Sequence, residues 1–407
     1  MSGALSHIRV LDLSRVLAGP WCGQILADLG AEVIKVERPG SGDDTRHWGP
    51  PFLRGADGRE TRESAYFLSA NRNKQSITVD FTRPEGQRLI RELAAQSDVV
   101  LENFKVGGLA AYGLDYASLK AVNPKLVYCS ITGFGQHGPY AQRAGYDFMI
   151  QALGGLMSLT GRGEGEEGAG PVKVGVALTD ILTGLYATVA VLAALNHREQ
   201  SGIGQHIDMA LLDVQVACLA NQAMNYLTTG VAPRRLGNAH PNIVPYQDFP
   251  TADGDLILTI GNDGQFRKFC EVAGKSDWAD DPRFATNQAR VANRAELVPM
   301  IRQVTVFRTT AAWVSVLEQA GVPCGPINDL AQVFADPQVL ARGLKVEMPH
   351  PVAGSVPQVA SPIRLSETPV QYRQAPPLLG EHTERVLQRV LGLDAAAIDA
   401  LRIDGVV

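Results

Sequence analysis

A strand–helix–strand pattern in the first forty residues constrains the fold more than any other feature of the chain. The apolar runs Ile8–Leu13 and Ala31–Glu37 predict two strands. Trp21–Leu29 between them predicts a helix, because Pro20 suits a first helical turn and Gly30 a helix end. Strands joined this way pair in parallel with a right-handed crossover. The alternation recurs in predicted strands at Ser76–Asp80, Val99–Leu101 and Leu126–Ile131 and a predicted helix at Pro84–Gln96. The sequence therefore predicts an α/β fold with a doubly wound parallel sheet.

Composition and charge exclude several functional classes. The 407 residues are 45% hydrophobic and 19% charged, which is typical of a folded globular protein. A net charge of −5 gives no general attraction to nucleic acid or to anionic membranes, so neither is expected as a partner. The apolar run Ile181–Leu195 is shorter than the ~20 residues of a membrane helix. We therefore expect it to be a buried helix.

The cysteines and histidines predict neither disulfides nor a metal site. Five scattered cysteines form no CxxC pair, and eight histidines show no metal-ligand spacing. Free thiols, and an N-terminus without the pattern of a secretory signal, predict a cytoplasmic location.

Two glycine- or proline-rich segments interrupt the pattern. The composition of Gly161–Gly170 predicts a mobile surface loop. Its GxGxxG match is not a dinucleotide-binding motif, because the three glutamates in it would repel a pyrophosphate. Thr229–Pro250 is repeatedly broken by residues such as Pro233, Gly237, Pro241, Pro245 and Pro250, and it predicts a crossover into a second, smaller unit.

Eight segments, taken in order, resemble one known family. They are Val10–Pro20, Gly30–Glu37, Asn73–Ile77, Glu102–Phe104, Gly133–Pro139, Gly175–Asp180, Gly321–Pro326 and Leu378–Thr383. Their order and spacing resemble the class III CoA-transferases, the CaiB/BaiF group that includes formyl-CoA and carnitine CoA-transferases and succinyl-CoA:dicarboxylate CoA-transferases.

The resemblance implies an architecture. A large α/β domain would be built from residues 1–225 and a return segment, 326–407. Residues 226–325 would form a smaller inserted α+β domain with its linkers. Two chains would form an interlocked homodimer, each threading through the ring of the other.

The resemblance also implies that Asp180 is a catalytic nucleophile. CoA would move from an acyl-CoA thioester to a carboxylic acid through an aspartyl anhydride and an aspartyl-CoA thioester, with CoA as a substrate and no prosthetic group. From the residues alone, Asp180 has a second interpretation, because Asp is a preferred cap at a helix N-terminus.

The CoA-binding residues implied by the family lie in several loops. They are Arg15, Val16, Leu17, Ala18, Arg38, Asn73, Lys74, Asn103, Phe104 and Lys105. Arg38 and Lys74 are the predicted phosphate partners, since Arg offers paired donors and Lys a point charge. Any single Arg or Lys among them is better explained as a solvated surface charge, and their clustering at the carboxyl ends of successive strands is what favours binding.

Gly237, Asn238 and His240 correspond to a loop over the active site in relatives. They are candidate oxyanion or substrate contacts, and a rigid turn held by Pro241 is the alternative. Arg234, Arg235 and His240 suggest a dicarboxylate acceptor by charge complementarity, with a solvent-exposed turn as the alternative.

Two other functions fit parts of the pattern. An α-methylacyl-CoA racemase of the same superfamily would use a histidine where this chain has Tyr146, and a tyrosine is a poor base at neutral pH. A non-catalytic CoA-binding protein would need no nucleophile, whereas Asp180 is present.

Overall fold

The structure is a computed structural model that describes residues 3–407, and the chain divides into two compact units. The larger comprises residues up to Gly155, Val174–Ala223 and Gln338–Val407. The smaller comprises Leu156–Lys173 and Met224–Pro337. Leu156–Lys173 thus lies in the smaller unit although the sequence places it in the range 1–225.

The elements of the first half alternate as the sequence indicates. In chain order they are β1 (Arg9–Asp12), α1 (Ala18–Asp28), β2 (Glu32–Glu37), β3 (Phe52–Arg54), β4 (Glu60–Ser64), α2 (Ala65–Ser69), β5 (Lys74–Thr78), α3 (Pro84–Ala95), β6 (Val99–Glu102), α4 (Tyr116–Val122), β7 (Val127–Thr132), α5 (Asp147–Leu153), α6 (Leu156–Leu159), α7 (Leu178–Ser201), β8 (His206–Ala210), α8 (Leu211–Ala217) and α9 (Ala220–Thr229).

A parallel sheet forms the centre of the larger unit. Its strand order is β5-β2-β1-β6-β7-β8, and every neighbouring pair is parallel. The predicted α/β fold with a parallel sheet is therefore confirmed. The antiparallel pair β3–β4 was not predicted.

Helices cover both faces of this sheet. Leu11 and Val100 belong to an apolar cluster with α3 and α4, whereas their neighbours Val10 and Val99 belong to a cluster with α1, α5, α7 and α8. Successive strand side chains point to opposite faces, so a strand buried on both sides reads as a continuous apolar run.

The remaining elements belong to the second half of the chain. They are β9 (Tyr246–Pro250), β10 (Asp255–Thr259), α10 (Asp263–Val272), α11 (Asp277–Asp280), α12 (Asn287–Ala292), α13 (Arg294–Thr305), α14 (Thr310–Gln319), β11 (Cys324–Pro326), α15 (Leu330–Ala335), α16 (Pro337–Ala341), β12 (Lys345–His350), β13 (Gly354–Val359), α17 (Thr383–Leu391) and α18 (Ala395–Ile403).

The smaller unit has its own core. The antiparallel sheet β11-β10-β9 packs with α10, α13 and α14 around buried aromatic side chains such as Phe249, Phe269 and Trp313. The indole N–H of Trp313 donates to Thr305 O at 2.7 Å, so its polar atom is satisfied in the core.

The last helices complete the core of the larger unit. Val386 and Leu387 of α17 and Leu401 of α18 join the cluster that covers one sheet face. The N–H of Asp80 donates to Val406 O at 2.7 Å, which ties the chain end to the end of β5. The larger unit therefore needs both ends of the chain.

Helix α7 carries one buried face and one exposed apolar face. Thr183, Ala187 and Val191 are buried, whereas Leu185 and Val189 are exposed. By length and composition α7 could cross a membrane, and within residues 3–407 it alone passes that test. A core helix passes it equally, and the packing of α7 against α1, β7 and β8 is that of a core helix.

Candidate active site

Asp180 stands in the first turn of α7 but does not cap it. The helix begins after Ala177, which supplies no side-chain cap. Instead, the carboxylate of Asp147 accepts hydrogen bonds from the backbone N–H groups of Thr179 at 2.8 Å and Asp180 at 3.3 Å. The capping interpretation of Asp180 is therefore wrong, because a carboxylate 33 residues earlier accepts those bonds.

The carboxylate of Asp180 has no donor among the described residues, although it is partly buried. Burial, and then the negative charge of Asp147, raise the pKa of Asp180 to about 7. A carboxylate that is neither paired nor fully solvated keeps its oxygens available for a substrate carbon.

An aromatic pair lies close to this carboxylate. Tyr66 packs edge-to-face on Trp48 with ring centroids 5.1 Å apart. Burial, and then the charge of Asp180, raise the pKa of the Tyr66 phenol, which therefore stays protonated and able to donate. Sequence reasoning missed both residues, since neither belongs to a recognisable motif.

A cavity of about 660 Å³ in the larger unit brings Asp180 together with most of the predicted CoA-binding residues. Those that line it are Arg15, Val16, Leu17, Ala18, Arg38, Asn103, Phe104 and Lys105. They come from the loop after β1, the end of β2 and the loop after β6. These are carboxyl ends of adjacent parallel strands, where α/β proteins bind ligands.

Hydrogen bonds fix the loop between β1 and α1. The side chain of Asn103 accepts from Arg15 N at 2.9 Å and donates to Arg15 O at 2.7 Å. Val16 has φ 68°, and its N–H donates to the carboxylate of Asp43 at 3.2 Å. A β-branched residue adopts this left-handed conformation only where its surroundings enforce it.

A buried ion pair holds Asp43 in turn. Lys35 Nζ lies 2.8 Å from the Asp43 carboxylate, and both side chains are fully buried. Burial opposes ionisation of Asp43, but the ammonium of Lys35 outweighs it and lowers the pKa to about 2. Lys35 also donates to Ser14 O at 2.9 Å, so both sides of the loop are anchored.

Lys74, which the sequence predicts to bind a CoA phosphate, does not line the larger cavity. It is fully buried, with its ammonium bonded to Asp12 at 3.0 Å, Pro20 O at 2.8 Å and Asn71 at 3.0 Å. It does not line the cavity, because all three of its donors are used inside the unit. Lys74 therefore supports the loop and the start of α1 from beneath.

Asn73 is also removed from the cavity. Its amide donates to Asp28 at 2.8 Å and to Gln371 O at 2.9 Å, and its oxygen accepts from the N–H of Arg373 at 2.8 Å. These bonds join the residue to the C-terminal segment, so its role here is structural.

The cavity also contains residues that the motifs did not indicate. Arg143 lies at its wall with its guanidinium 4.5 Å from the ring centroid of Tyr140, and Tyr112 and Tyr146 contribute further aromatic surface. Among them only Tyr146 was considered in the sequence, as the position of a racemase histidine and not as a CoA contact.

The loop residues Gly237, Asn238 and His240 belong to the smaller unit. Gly237 and Asn238 line a second cavity there, together with Arg234 and Arg235. His240 packs against Tyr246 with centroids 5.2 Å apart, and burial and the charge of Arg294 lower its pKa. His240 is thus neutral at pH 7.

The described residues contain no group of three or more His, Cys, Asp or Glu side chains able to hold a metal ion. The larger cavity itself presents the carboxylate of Asp180 together with cationic side chains such as Arg38 and Lys105.

Comparison with known proteins identifies the family. The profile of CoA-transferase family III matches residues 5–383. The chain belongs to CoA-transferase family III. A succinate–glutarate CoA-transferase from Agrobacterium fabrum is 55% identical over 393 residues, 97% of each chain. The human succinyl-CoA:glutarate CoA-transferase is 46% identical over 99% of this chain and 90% of its own.

A solved structure supports the same assignment. A CaiB/BaiF family protein from Brucella suis is 52% identical, superposes with a TM-score of 0.84, and covers 96% of this chain and 100% of its own. The resemblance seen in the sequence motifs is confirmed. This family III member is a CoA-transferase, and neither the racemase nor the non-catalytic alternative is retained.

Proposed function

We propose that this enzyme moves CoA between short dicarboxylic acids, such as succinate and glutarate, with Asp180 as the covalent carrier. The observation that carries the proposal is the Asp180 carboxylate, which lies in the larger cavity with no donor among the described residues. The names of the relatives from Agrobacterium fabrum and human support the dicarboxylate class.

The first half-reaction loads CoA onto the enzyme. An oxygen of Asp180 attacks the thioester carbonyl of succinyl-CoA, which forms a mixed anhydride and releases the CoA thiolate. The thiolate attacks the aspartyl carbonyl, which forms an aspartyl-CoA thioester and releases succinate. Each step breaks one acyl bond and forms another, so the free energy of the thioester is conserved.

The second half-reaction runs the same steps with the acceptor. A carboxylate of glutarate attacks the aspartyl thioester, which forms a second anhydride and releases the thiolate again. The thiolate attacks the glutaryl carbonyl, which gives glutaryl-CoA and restores the carboxylate of Asp180. Water must be kept away, because it would hydrolyse either anhydride.

Each attack develops negative charge on a carbonyl oxygen, which needs donors aimed at it. We assign that role to the N–H groups of Leu17 and Ala18, which lie at the cavity where α1 begins without a side-chain cap. The hydrogen bonds that the backbone N–H groups of Arg15 and Val16 donate to Asn103 and Asp43 hold this loop in place before substrate arrives.

Arg38 and Lys105 are the cations assigned to the CoA phosphates. Both line the larger cavity, and Arg38 is exposed. Arg15 lies 3.0 Å from Asp44 and 5.3 Å from the Phe104 ring centroid, so it and Phe104 form a surface for the adenine or the pantetheine arm.

We further propose the interlocked homodimer that the family resemblance implies, with the larger unit built from both the N-terminal and C-terminal parts of the chain. The exposed apolar face of α7, with Leu185 and Val189, supports it, since a second chain would remove this surface from water. Five cysteines without disulfides support the cytoplasm as its location.

One isotope experiment tests whether Asp180 carries CoA as a covalent intermediate. Glutarate labelled with ¹⁸O in its carboxylates is incubated with succinyl-CoA, and the products are analysed by mass spectrometry. The mechanism leaves one label on Asp180 in each turnover and passes it to succinate in the next. Succinate without label would contradict an aspartyl carrier.

Two variants complete the test. Asp180→Asn is expected to abolish transfer while retaining CoA binding. Asp213→Asn is the matched control, because Asp213 also lies in the first turn of a helix of the larger unit but is exposed. Normal transfer by Asp180→Asn would end the proposal.

A further inference from the structure

The segment Leu378–Thr383, one of the eight that resemble the family, has no role in the chemistry proposed above. The structure binds it to Ser76 of β5. His382 N donates to Ser76 O at 2.9 Å, and Gly380 N donates to Ser76 Oγ at 2.9 Å. Because Ser76 is fully buried, these hydrogen bonds lie inside the larger unit, where water does not compete for them.

The hydroxyl of Ser76 also reaches Glu37, the last residue of β2. It donates to the Glu37 carboxylate at 2.6 Å. This carboxylate accepts three further hydrogen bonds, from Arg46 Nε and Nη2, each at 2.7 Å, and from Asp43 N at 2.9 Å. Each carboxylate oxygen thus accepts two hydrogen bonds, which uses all its lone pairs. Glu37 borders the larger cavity, but its carboxylate has no acceptor site left for a substrate.

Arg46 keeps Glu37 ionised and holds it in place. Burial opposes ionisation of Glu37, but the hydrogen bonds and the charge of Arg46 outweigh it and lower the pKa of this carboxyl. The guanidinium also donates to Pro377 O at 3.0 Å and lies 3.6 Å from the ring centroid of Phe67. The two parallel hydrogen bonds of the buried pair fix the orientation of the carboxylate as well as its position.

The chain passes close to this pair at Gly42. Its φ is +69°, and a Cβ atom there would lie 2.7 Å from Arg46 Cδ and 2.9 Å from Glu37 Oε2. Both distances are too short for a real Cβ contact, so glycine is needed for the chain to turn against the ion pair. Since no space separates the pair from this turn, the position of Glu37 determines that of Asp43.

Asp43 connects Glu37 to the loop between β1 and α1. The N–H of Asp43 donates to Glu37, and its carboxylate accepts the N–H of Val16 at 3.2 Å. The next two N–H groups, those of Leu17 and Ala18, are the ones assigned above to the developing oxyanion. A continuous series of hydrogen bonds therefore leads from the segment Leu378–Thr383 to this loop.

We propose that Glu37 is a positioning residue for the transfer reaction, which joins the segment Leu378–Thr383 to the loop that carries the assigned oxyanion donors. The oxyanion exists only during attack, so correctly placed donors lower the barrier without tightening the substrate complex. Loss of Glu37 should therefore lower kcat and leave the KM for succinyl-CoA nearly unchanged. The inference rests on the proposed function for the identity of the reaction.

The variants Glu37→Met and Glu63→Met form a matched pair. Both remove a buried carboxylate that contacts Arg46, since Glu63 Oε2 lies 3.4 Å from Arg46 Nη1. Within residues 3–407, Glu63 has no hydrogen bond to Asp43 or Ser76, and it does not line the larger cavity. Glu37→Met should lower kcat about 100-fold, the cost of a misplacement of about 1 Å. Glu63→Met should retain the wild-type kcat.

A milder pair decides the matter if Glu37→Met does not fold. Ser76→Ala and Thr78→Val each remove one hydroxyl of β5 that contacts the segment Leu378–Thr383, since Thr78 Oγ1 lies 3.3 Å from Thr383 Oγ1. Only the hydroxyl of Ser76 reaches Glu37. Ser76→Ala should lower kcat about fivefold or more, as for the loss of a hydrogen bond to a charged group, and Thr78→Val should not. Unchanged kcat in Ser76→Ala, an equal loss in a control variant, or a change confined to KM would overturn the inference.

Hydrogen exchange of the free enzyme separates this outcome from that of the proposed function. The amide of Val16 should exchange faster in Ser76→Ala than in Thr78→Val, because its acceptor Asp43 is held less firmly. Equal exchange in the two variants would contradict the positioning role. Faster exchange in a chain whose succinate gains no ¹⁸O would retain the role of Glu37 and reject the aspartyl carrier.

Discussion

The carboxylate of Asp147 accepts a hydrogen bond from the backbone N–H of Asp180, and its charge adds to the larger effect of burial in raising the pKa of the Asp180 carboxyl. One acidic group thus fixes the first turn of the helix that carries the proposed nucleophile and opposes ionisation of that carboxyl group. Gln151 holds Asp147 in turn through a hydrogen bond of 2.7 Å.

Asp147→Asn should move the pH dependence of transfer. The pKa of Asp180 lies at about 7 because burial and the charge of Asp147 penalise its ionised form. Removing that charge lowers the pKa, so the acid limb of kcat/KM should move to lower pH. A pH profile of both proteins measures the displacement, and a limb that moves to higher pH would contradict the electrostatic assignment. The control Asp213→Asn should leave the profile unchanged.

Asp180→Asn should stabilise the fold in a pH-dependent way. Because the folded-state pKa of Asp180 is raised, its contribution to stability is complete below the unfolded value near 3.8 and is lost as the pH rises through about 7. Removing the charge should therefore raise Tm at pH 8. The gain in unfolding free energy should be roughly 2–4 kcal/mol, since a tenfold change in a proton-binding constant corresponds to about 1.36 kcal/mol. This gain in unfolding free energy should disappear near pH 4. Scanning calorimetry of both proteins at pH 4 and pH 8 measures it.

The variants Lys74→Met and Arg38→Ala should show that Lys74 stabilises the fold whereas Arg38 binds CoA. Lys74→Met leaves the buried carboxylate of Asp12 without its closest cation and should cost ~3 kcal/mol of stability. Arg38→Ala should leave Tm unchanged and weaken CoA binding about 10-fold, the usual cost of a lost charge-assisted contact. Urea unfolding and CoA titration measure the two effects. A stable Lys74→Met protein with weakened CoA binding would restore Lys74 to the phosphate site.

Val189→Glu should disrupt the proposed dimer. Val189 lies on the exposed apolar face of α7, and a buried unpaired carboxylate there would oppose association. Light scattering after gel filtration should show a smaller species or aggregated chains. Ile403→Glu is the control, since Ile403 is 85% exposed on α18 and should retain the wild-type mass. An unchanged mass for Val189→Glu would exclude this face from the interface.

The sequence predicted the inner strands of the sheet well because they are buried on both faces. Runs such as Val10–Leu11 and Val99–Val100 are apolar without interruption, and glycine and proline mark the intervening turns. The hairpin β3–β4 was not predicted, because its second strand has the sequence Glu-Thr-Arg-Glu-Ser, which shows no alternation of apolar and polar residues.

Several residues of the candidate site were predicted from the motifs that lie in loops after strands. Arg15, Arg38 and Asn103 belong to such loops, and all three line the larger cavity. Lys74 begins a strand, and nothing local shows that its ammonium bonds to Asp12, 62 residues away. The hydrogen bond between Asp147 and Asp180 could not be predicted either, because the two residues are 33 positions apart in the sequence.

The packing of α17 and α18 on the central sheet has a consequence for synthesis on the ribosome. Asp180 is translated more than two hundred residues before Val386, Leu401 and Val406, which close one side of the sheet beside β5. A nascent chain therefore carries its proposed nucleophile long before this face of the sheet is covered. Prematurely terminated chains should for this reason leave apolar strand residues such as Leu11 and Val100 exposed to water, which favours aggregation.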